Sequence, residues 1–222
     1  MIEIAEIFRL LNDWRGLPSY KLEPRVDIFF ALYLPEILMH NIKELKGEII
    51  THDNIIPEFP LLKKRFDKDN YVKKRDGNRS KKADYAVFSK NRLYLIELKT
   101  DMGSIDKKQE NYMIQATTVP PSELIRDINE VVVTQQNKKY GPKYNYLSTK
   151  LSNLCEQFSP TEVVAVYIQP ELQNNQNEQL KTITFEQIYK EVSSLDKDFC
   201  TALEWWENPP LCAKSESLQH SQ

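Results

Sequence analysis

Apolar positions along the chain alternate between helical and strand spacing, which predicts a sheet covered by helices. The stretch EPRVDIFFALYLPEILMHNIKEL has helical spacing, with Glu23 at or just before the N-cap and Pro24 in the first helical position. Residues 47–56 are rich in strand-forming residues, and Pro57 and Pro60 follow them. We therefore predict a first helix and then a first strand with an irregular exit.

A hairpin is predicted next. Residues 83–89 and 92–100 are short runs of strand-forming residues, and only residues 90–91 separate them. If the hairpin turns symmetrically, the numbers of opposed residues sum to 181. This register places Asp84 directly opposite Glu97.

The second half of the chain continues the alternation of helices and strands. The pattern predicts a helix over 104–118 capped by Ser104 with Asp106 in its first turn, a helix over 122–136, a loop over 138–150, a strand over 161–170 and a helix over 185–208. We expect an α/β protein with a mixed central sheet flanked by helices. Residues 1–210 form a single predicted domain, and 211–222 a disordered tail without apolar content.

Composition limits the class of protein. The chain has 222 residues, 41% hydrophobic and 28% charged, which suits one soluble domain. No apolar run approaches the roughly 20 residues that span a bilayer, and the first ten residues lack a basic segment followed by an apolar one. The three cysteines have no CxxC spacing. We expect a cytoplasmic protein with reduced thiols and no membrane partner.

Charge is concentrated in one segment. Residues 63–92 contain 12 basic and four acidic residues, although the whole chain has a net charge of −2. Such a segment can follow a phosphate backbone, and a solvated loop explains it about as well. Its position directly before the opposed carboxylates favours the functional interpretation.

The opposed carboxylates are the candidate site. Like charges opposite each other destabilise a sheet unless they are neutralised, and hard oxygen ligands suit Mg²⁺ or Mn²⁺. Lys99 points to the same face as Glu97, whereas Leu93 and Leu95 make that face apolar up to the strand end. A salt bridge or a solvated strand end is the simpler explanation, but charge at the end of a buried strand favours a site.

The residues Asp84 and Glu97-Leu98-Lys99, on the two arms of a hairpin, resemble the D-(X)n-E-X-K motif of the PD-(D/E)XK nuclease superfamily. The resemblance implies a restriction endonuclease-like αβββαβ core over about residues 23–170, with an extra C-terminal helix. It also implies a Mg²⁺-dependent nuclease, with Mn²⁺ as the other suitable ion, that acts on nucleic acid, most naturally DNA.

Further positions match the family less specifically. Glu23 resembles its upstream acidic ligand, and Glu36 on the same helix is a rival. Gln109 and Tyr112 resemble the Gln/Tyr signature of some exonuclease-like branches, although their spacing is QxxY rather than QxxxY. Ala83 replaces the proline that often precedes the aspartate.

The resemblance assigns roles to individual residues. The implied catalytic residues are Asp84, Glu97, Lys99, Glu23 and Gln109. The implied metal ligands are Asp84, Glu97, the Leu98 carbonyl and Glu23. The expected phosphate contacts are Lys73, Lys74, Arg75, Arg79, Lys81, Lys82, Lys138, Lys139 and Lys143.

Two other functional classes compete with the nuclease. The same fold could be a catalytically inactive module that binds nucleic acid or a protein partner. A structural protein with a salt-bridged hairpin is the third interpretation, and it predicts no effect of metal on stability. A homodimer would suit an enzyme that cuts both strands of a duplex.

Overall fold

The computed structural model describes residues 4–14, 21–66, 80–101, 106–135, 141–172, 179–192 and 196–207. Its strands are β1 (Ile55–Leu62), β2 (Ser80–Phe88), β3 (Arg92–Leu98), β4 (Glu162–Gln169) and β5 (Leu180–Thr184). Its helices are α1 (Ile4–Trp14), α2 (Glu23–Asn41), α3 (Lys63–Phe66), α4 (Lys107–Thr117), α5 (Pro121–Gln135), α6 (Gly141–Gln157), α7 (Phe185–Glu191) and α8 (Lys197–Glu207), with 3-10 turns at Lys43–Leu45 and His52–Asn54. Within these ranges, no helix has the length and apolar character needed to cross a membrane.

The five strands form one mixed sheet in the order β1-β2-β3-β4-β5. Strands β1, β2 and β3 pair antiparallel, whereas β3, β4 and β5 pair parallel. The C-terminal ends of β3, β4 and β5 therefore lie at one edge, called the C-terminal edge below, where β3 ends beside the middle of β2. The predicted α/β class with a mixed sheet flanked by helices is confirmed.

The hairpin has the predicted register. Tyr85 pairs with Ile96, and Phe88 with Leu93, so the numbers of the paired residues sum to 181. The Ser89 N–H donates to the Arg92 carbonyl at 2.9 Å and closes the turn. Asp84 and Glu97 come directly after the last regular pair.

The β1–β2 ladder is irregular next to Asp84. Pairing runs from Pro57–Tyr85 to Phe59–Ala83, and Glu58 between the two prolines has a φ of 55°, in the left-handed region. Ile56 and Phe59 consequently pack on the same face, although they lie an odd number of residues apart. The side chains of β1 thus exchange faces of the sheet at Glu58, beside the candidate site.

Helices cover both faces of the sheet. One buried cluster joins α1, α2, α7 and α8 to the face that carries Tyr94 and Ile96. The other joins α4, α5 and α6 to the face that carries Leu93 and Leu95. Trp206 is fully buried in the first cluster, as expected for a core residue.

Two predictions at the start of the domain are wrong. The first strand spans Ile55–Leu62 rather than 47–56, because β1 is an edge strand and an edge strand tolerates Pro57 and Pro60. Leu22 is the N-cap of α2, so Glu23 and Pro24 each lie one position further into the helix than predicted. Helix α1 was not predicted.

The second half also departs from the prediction. From Gly141 onward the predicted loop is helix α6, and β5 is a strand that the pattern did not indicate. The predicted helix over 185–208 is two helices, α7 and α8. Asp106, rather than Ser104, caps α4, because its side chain accepts from the Lys108 N–H at 2.8 Å. Ser104 and the predicted tail over 211–222 lie outside the described residues.

Candidate functional site

The candidate site lies at the C-terminal edge, where β3 ends beside the middle of β2. Asp84 is partly buried, and its Oδ2 accepts a hydrogen bond from the Leu98 N–H at 2.7 Å. This bond takes the place of a regular ladder contact and holds the Asp84 carboxylate against the end of β3. Asp84 and the Glu97-Leu98-Lys99 segment are therefore together, as the register predicts.

Glu97 is the centre of a buried polar cluster. Its Oε1 accepts from Lys99 Nζ at 2.5 Å and from Gln109 Nε2, on the first turns of α4, also at 2.5 Å. Glu97 is 1% exposed and Lys99 4% exposed. Among the described residues, the buried Oε2 of Glu97 has no hydrogen-bond partner. Oε1 of Glu97 thus accepts two hydrogen bonds, and Oε2 is available to a ligand.

The N-terminus of α2 brings a third carboxylate to the cluster. Oε2 of Glu23 lies 3.6 Å from Lys99 Nζ. Pro24 suits the start of this helix because its ring fixes φ and it has no N–H to satisfy. The rival Glu36 lies 13 residues further along the same helix, about 20 Å along its axis. Glu23 is therefore the acidic residue of α2 that lies beside Lys99.

Burial and neighbouring charges shift the pKa values of Asp84, Glu97 and Lys99. Burial raises the pKa of Asp84 to about 6, although the Leu98 N–H and Lys99 act in the opposite direction. Burial and then the charge of Asp84 raise the pKa of Glu97 to about 8. For Lys99, burial lowers the pKa, but the charges of Glu97, Glu23 and Asp84 outweigh it, and the net change is upward. Lys99 is therefore held as a cation among carboxylates.

The donor set fits a hard divalent cation with few protein ligands. Within the described ranges, no group of three or more His, Cys, Asp or Glu side chains is arranged to hold a metal ion. Asp84 and Glu97 offer carboxylate oxygens, among them Oε2 of Glu97, which is buried and accepts no hydrogen bond from the described residues. Mg²⁺ is commonly bound through only one or two carboxylates and keeps several waters, so this set is compatible with it.

The expected phosphate contacts are placed only in part. Lys81 and Lys82 lie on β2, close in sequence to Asp84, and Lys82 forms an ion pair with Glu58. Lys143 is exposed in the first turn of α6. The remaining predicted contacts, Lys73, Lys74, Arg75, Arg79, Lys138 and Lys139, lie outside the described residues.

Two aromatic residues differ from the expectation. Tyr112 is buried, and its ring meets that of Phe66 edge-on at 6.0 Å between centroids, which is a packing contact. Tyr167 on β4 was not predicted as a site residue, yet it pairs with Glu97 in the β3–β4 ladder. No local signal in TEVVAVYIQP identifies it, because its position depends on the parallel register of two strands distant in sequence.

Comparison of the chain with protein-family models, with curated proteins and with solved structures found no match. The functional argument therefore depends on the geometry of the cluster.

Proposed function

We propose that this chain is a metal-dependent nuclease that hydrolyses phosphodiester bonds of DNA. The observation that carries the proposal is the state of the buried Glu97 carboxylate. Its Oε1 accepts two hydrogen bonds, and its Oε2 has no hydrogen-bond partner among the described residues. Glu97 of β3 and Asp84 of β2 are both one position beyond the last regular pair of the hairpin. Unpartnered buried polar atoms are uncommon in native proteins and call for an explanation, which a ligand would provide.

Electrostatics favours a cation as that ligand. Two carboxylates in a desolvated site repel each other, and Lys99 supplies a single positive charge to Asp84, Glu97 and Glu23. A divalent ion held by Asp84 and Glu97, with the Leu98 carbonyl as a further proposed ligand, would balance the remaining negative charge, and Glu23 would hold a metal-bound water.

The residues of the cluster suit phosphodiester hydrolysis. A bound Mg²⁺ or Mn²⁺ would supply charge neutralisation and an acidified attacking water. Lys99, held by Glu97 at 2.5 Å, would orient that water and stabilise the negative charge that develops on the phosphate. Gln109 fixes the rotamer of Glu97 through its bond to Oε1, and its position in α4 makes it the proposed contact to a phosphate or to the surrounding water.

The order of elements supports a restriction endonuclease-like fold. Helix α2, strands β1 to β3, helix α4 and strand β4 follow the αβββαβ order, with the short helix α3 inserted between β1 and β2 and with α5 and α6 inserted before β4. The β2–β3 hairpin carries the acidic residues, and β4 pairs parallel to β3. Ligand sites commonly lie at the C-terminal ends of parallel strands, as the cluster does here.

Cleavage assays would test the proposal directly. Supercoiled plasmid and a single-stranded oligonucleotide would be incubated with Mg²⁺ or Mn²⁺, with EDTA as the blank. The variants would be Asp84→Asn, Glu97→Gln and Lys99→Met, which keep side-chain size. Glu162→Gln is the matched control, because Glu162 forms an ion pair with Arg92 where β3 and β4 begin, at the opposite edge of the sheet.

We expect metal-dependent cleavage by the wild type and by Glu162→Gln, with a loss of at least 100-fold in each site variant, in line with the loss of a group that stabilises the transition state. Cleavage that persists in EDTA, or in the site variants, would contradict the proposal. Binding of DNA without cleavage under any of these conditions would instead favour the inactive binding module.

A further inference from the structure

A cleft lies between helix α6 and the 3-10 turn that precedes β1. Its volume is about 340 Å³, within the range of ligand pockets in proteins. The side chains that line it include Asp53 from the turn and Tyr146, Lys150, Asn153 and Gln157 from α6. None of these residues belongs to the candidate site.

The α6 residues of the cleft form a stripe along one side of the helix. Tyr146, Lys150, Asn153 and Gln157 follow one another at intervals of four, three and four residues, which places them in a row on the helix surface. Tyr146 is 73% exposed. A single exposed aromatic ring is ordinary on a protein surface, but this one begins a polar stripe that lines a cleft.

The chemistry of the stripe fits a nucleobase. An exposed aromatic ring such as that of Tyr146 can stack on the face of a base. The amides of Asn153 and Gln157 can donate to and accept from a base edge, and the carboxylate of Asp53 can accept from an exocyclic amine. Lys150 supplies a positive charge for an adjacent phosphate.

The charges of α6 favour an anionic partner. Glu156 is the only acidic residue of this helix, whereas Lys143 and Lys150 are basic. Within the part of the chain that the structure describes, neither lysine forms an ion pair. Both ammonium groups are therefore available to phosphates.

The cleft lies toward the edge of the sheet opposite the candidate site. Strand β1 begins at Ile55, whose ladder partner Val87 pairs with Tyr94 near the start of β3. Three residues along β3 and two strand spacings separate this corner from Glu97, which amounts to roughly 14 Å in the sheet. A nucleic acid strand rises about 3.4 Å per nucleotide, so about four or five nucleotides connect the two places.

We infer that this cleft binds an unpaired base of the strand that is cleaved at the candidate site, with Tyr146 stacked on the base and Lys150 on a phosphate next to it. A base whose face and hydrogen-bonding edge both contact protein groups is not in a base pair. The substrate class is therefore single-stranded DNA, or a single-stranded stretch of a longer molecule. This inference deepens the proposed function and rests on it for the identity of the ligand.

Binding of a fluorescein-labelled single-stranded DNA of about 12 nucleotides tests the inference. Fluorescence anisotropy is measured on the full chain in EDTA, so that no metal-dependent cleavage occurs. The variants are Tyr146→Ala, Tyr146→Phe and Lys150→Gln. Ile7→Ala is the control for loss of an exposed apolar side chain, because Ile7 is 37% exposed and lies on α1, which covers the opposite face of the sheet. Lys190→Gln is the control for loss of an exposed lysine, on α7.

We expect Tyr146→Ala to bind the oligonucleotide at least fivefold more weakly than the wild type, in line with the loss of one base–aromatic stack. Tyr146→Phe keeps the ring and should bind as the wild type does. Lys150→Gln should reduce the slope of log affinity against log salt by about 0.7, the value for one phosphate contact on a single strand. Both controls should leave the affinity and the slope unchanged, and the blunt duplex should show no dependence on Tyr146.

Three results would overturn the inference: no binding of the oligonucleotide by the wild type, binding by Tyr146→Ala within twofold of the wild type, or Tyr146→Phe as weak as Tyr146→Ala. Duplex binding with the same dependence on Tyr146 would overturn the unpaired base. The cleavage assays separate this inference from the proposed function. Metal-dependent cleavage with binding that does not depend on Tyr146 leaves the nuclease standing without this cleft, whereas Tyr146-dependent binding without cleavage leaves the cleft standing in an inactive binding module.

Discussion

Glu97 and Lys99 form a buried ion pair whose two members depend on each other. Each is at most 4% exposed, and their charged atoms are 2.5 Å apart. Taking charges out of water costs free energy that the attraction between them offsets only in part. Such a pair is weak evidence for a role in stability, and its position at a strand end favours a role in function instead.

Replacing one residue of the Glu97–Lys99 pair should lower the free energy of unfolding more than replacing both. We expect Lys99→Met to lower the free energy of unfolding, by less than the roughly 3–5 kcal/mol typical of a broken buried pair, because Glu97 can take up a proton. The double variant Glu97→Gln/Lys99→Met should recover most of the loss, since no buried charge remains at either position. Urea unfolding at pH 7 measures both. Equal losses in the single and double variants would show that the pair is not coupled.

The carboxyls of the site should make stability depend on pH. Burial raises the pKa of Asp84 to about 6 and that of Glu97 to about 8, above the ordinary values of 3.8 and 4.5, so the folded state binds these protons more tightly than the unfolded chain. The contribution of these two carboxyls to the free energy of unfolding is complete below their ordinary pKa values. It is lost as the pH rises through about 6 and then about 8. We expect the metal-free free energy of unfolding to fall over this window.

Two comparisons test whether the site carboxyls cause this dependence of the free energy of unfolding on pH. Asp84→Asn/Glu97→Gln should flatten it, whereas Glu162→Gln, whose carboxylate pairs with Arg92 at the far edge, should leave it unchanged. Saturating Mn²⁺ should reverse it, because the metal competes with the protons for the same carboxylates. A slope that is identical in all variants would mean that other groups cause it.

The sequence predicts the residues of the site to different extents. The Asp84–Glu97 register could be predicted because a short turn and the period of two fix which residues oppose each other. Glu23 could be named as a candidate, but only the packing of α2 places it beside Lys99 and separates it from Glu36. Tyr167 could not be predicted, since its pairing joins strands with three helices between them.

At the scale of elements, β1 combines several features that are unusual in a strand. Pro57 and Glu58 are both exposed, although successive residues of a regular strand point to opposite faces. The left-handed φ of 55° at Glu58 accounts for this change of phase. A non-glycine residue there costs roughly 1–2 kcal/mol.

Glycine at this position should therefore be tolerated. We expect Glu58→Gly to leave the free energy of unfolding unchanged or to raise it by up to about 1 kcal/mol, because relief of the left-handed strain outweighs the entropy that glycine adds. Loss of the Lys82 ion pair matters little, since both partners are more than half exposed. Thermal and urea unfolding measure the change.

Glu162→Gly is the control for this prediction. Glu162 is also an exposed strand glutamate with an ion pair to a neighbouring strand, to Arg92, and its φ is not positive. There the substitution should cost about 1 kcal/mol. Equal losses at both positions would contradict a special conformation at Glu58.

Long apolar stretches could be predicted as elements, whereas helix α1 was not predicted although its apolar residues have helical spacing. The hairpin strands and β4 are largely apolar where they are buried, and the structure has them close to the predicted positions. Helix α6 was predicted as a loop because its basic and tyrosine-rich start conceals the spacing of Tyr144, Leu147 and Leu151, which pack on the sheet. Strand β5 has five residues, too few for alternation to be distinctive.

At the scale of the whole molecule, the two ends of the described chain meet in one core. Phe8 of α1 packs edge-on against Trp206 of α8 with centroids 5.7 Å apart, and it also contacts Phe29 and Phe199. The family resemblance implies a core over about 23–170, yet one of the two clusters depends on helices outside that range. Apolar spacing identifies a buried face, but it does not tell which distant element covers it.

Phe8 should therefore contribute to the stability of the whole domain. We expect Phe8→Ala to lower the free energy of unfolding by about 3–5 kcal/mol, because it leaves a cavity among large aromatic rings. Ile7→Ala on the same helix is the control and should change it by no more than about 0.5 kcal/mol, since Ile7 is 37% exposed. A single urea transition should describe both variants. A Phe8→Ala variant no less stable than Ile7→Ala would mean that α1 is not part of the cooperative unit.

The irregular β1 strand also limits how copies of this chain can associate. An edge strand offers free N–H and C=O groups, onto which a second chain can add its own strand. Pro57 and Pro60 have no N–H to offer, and the ion pair of Glu58 and Lys82 places charge at the same edge of the sheet. Sheet extension through β1 is therefore blocked, which protects the chain from edge-to-edge aggregation there. Among the described strands, β5 is the other edge strand and the one at which a second copy of this chain could extend the sheet.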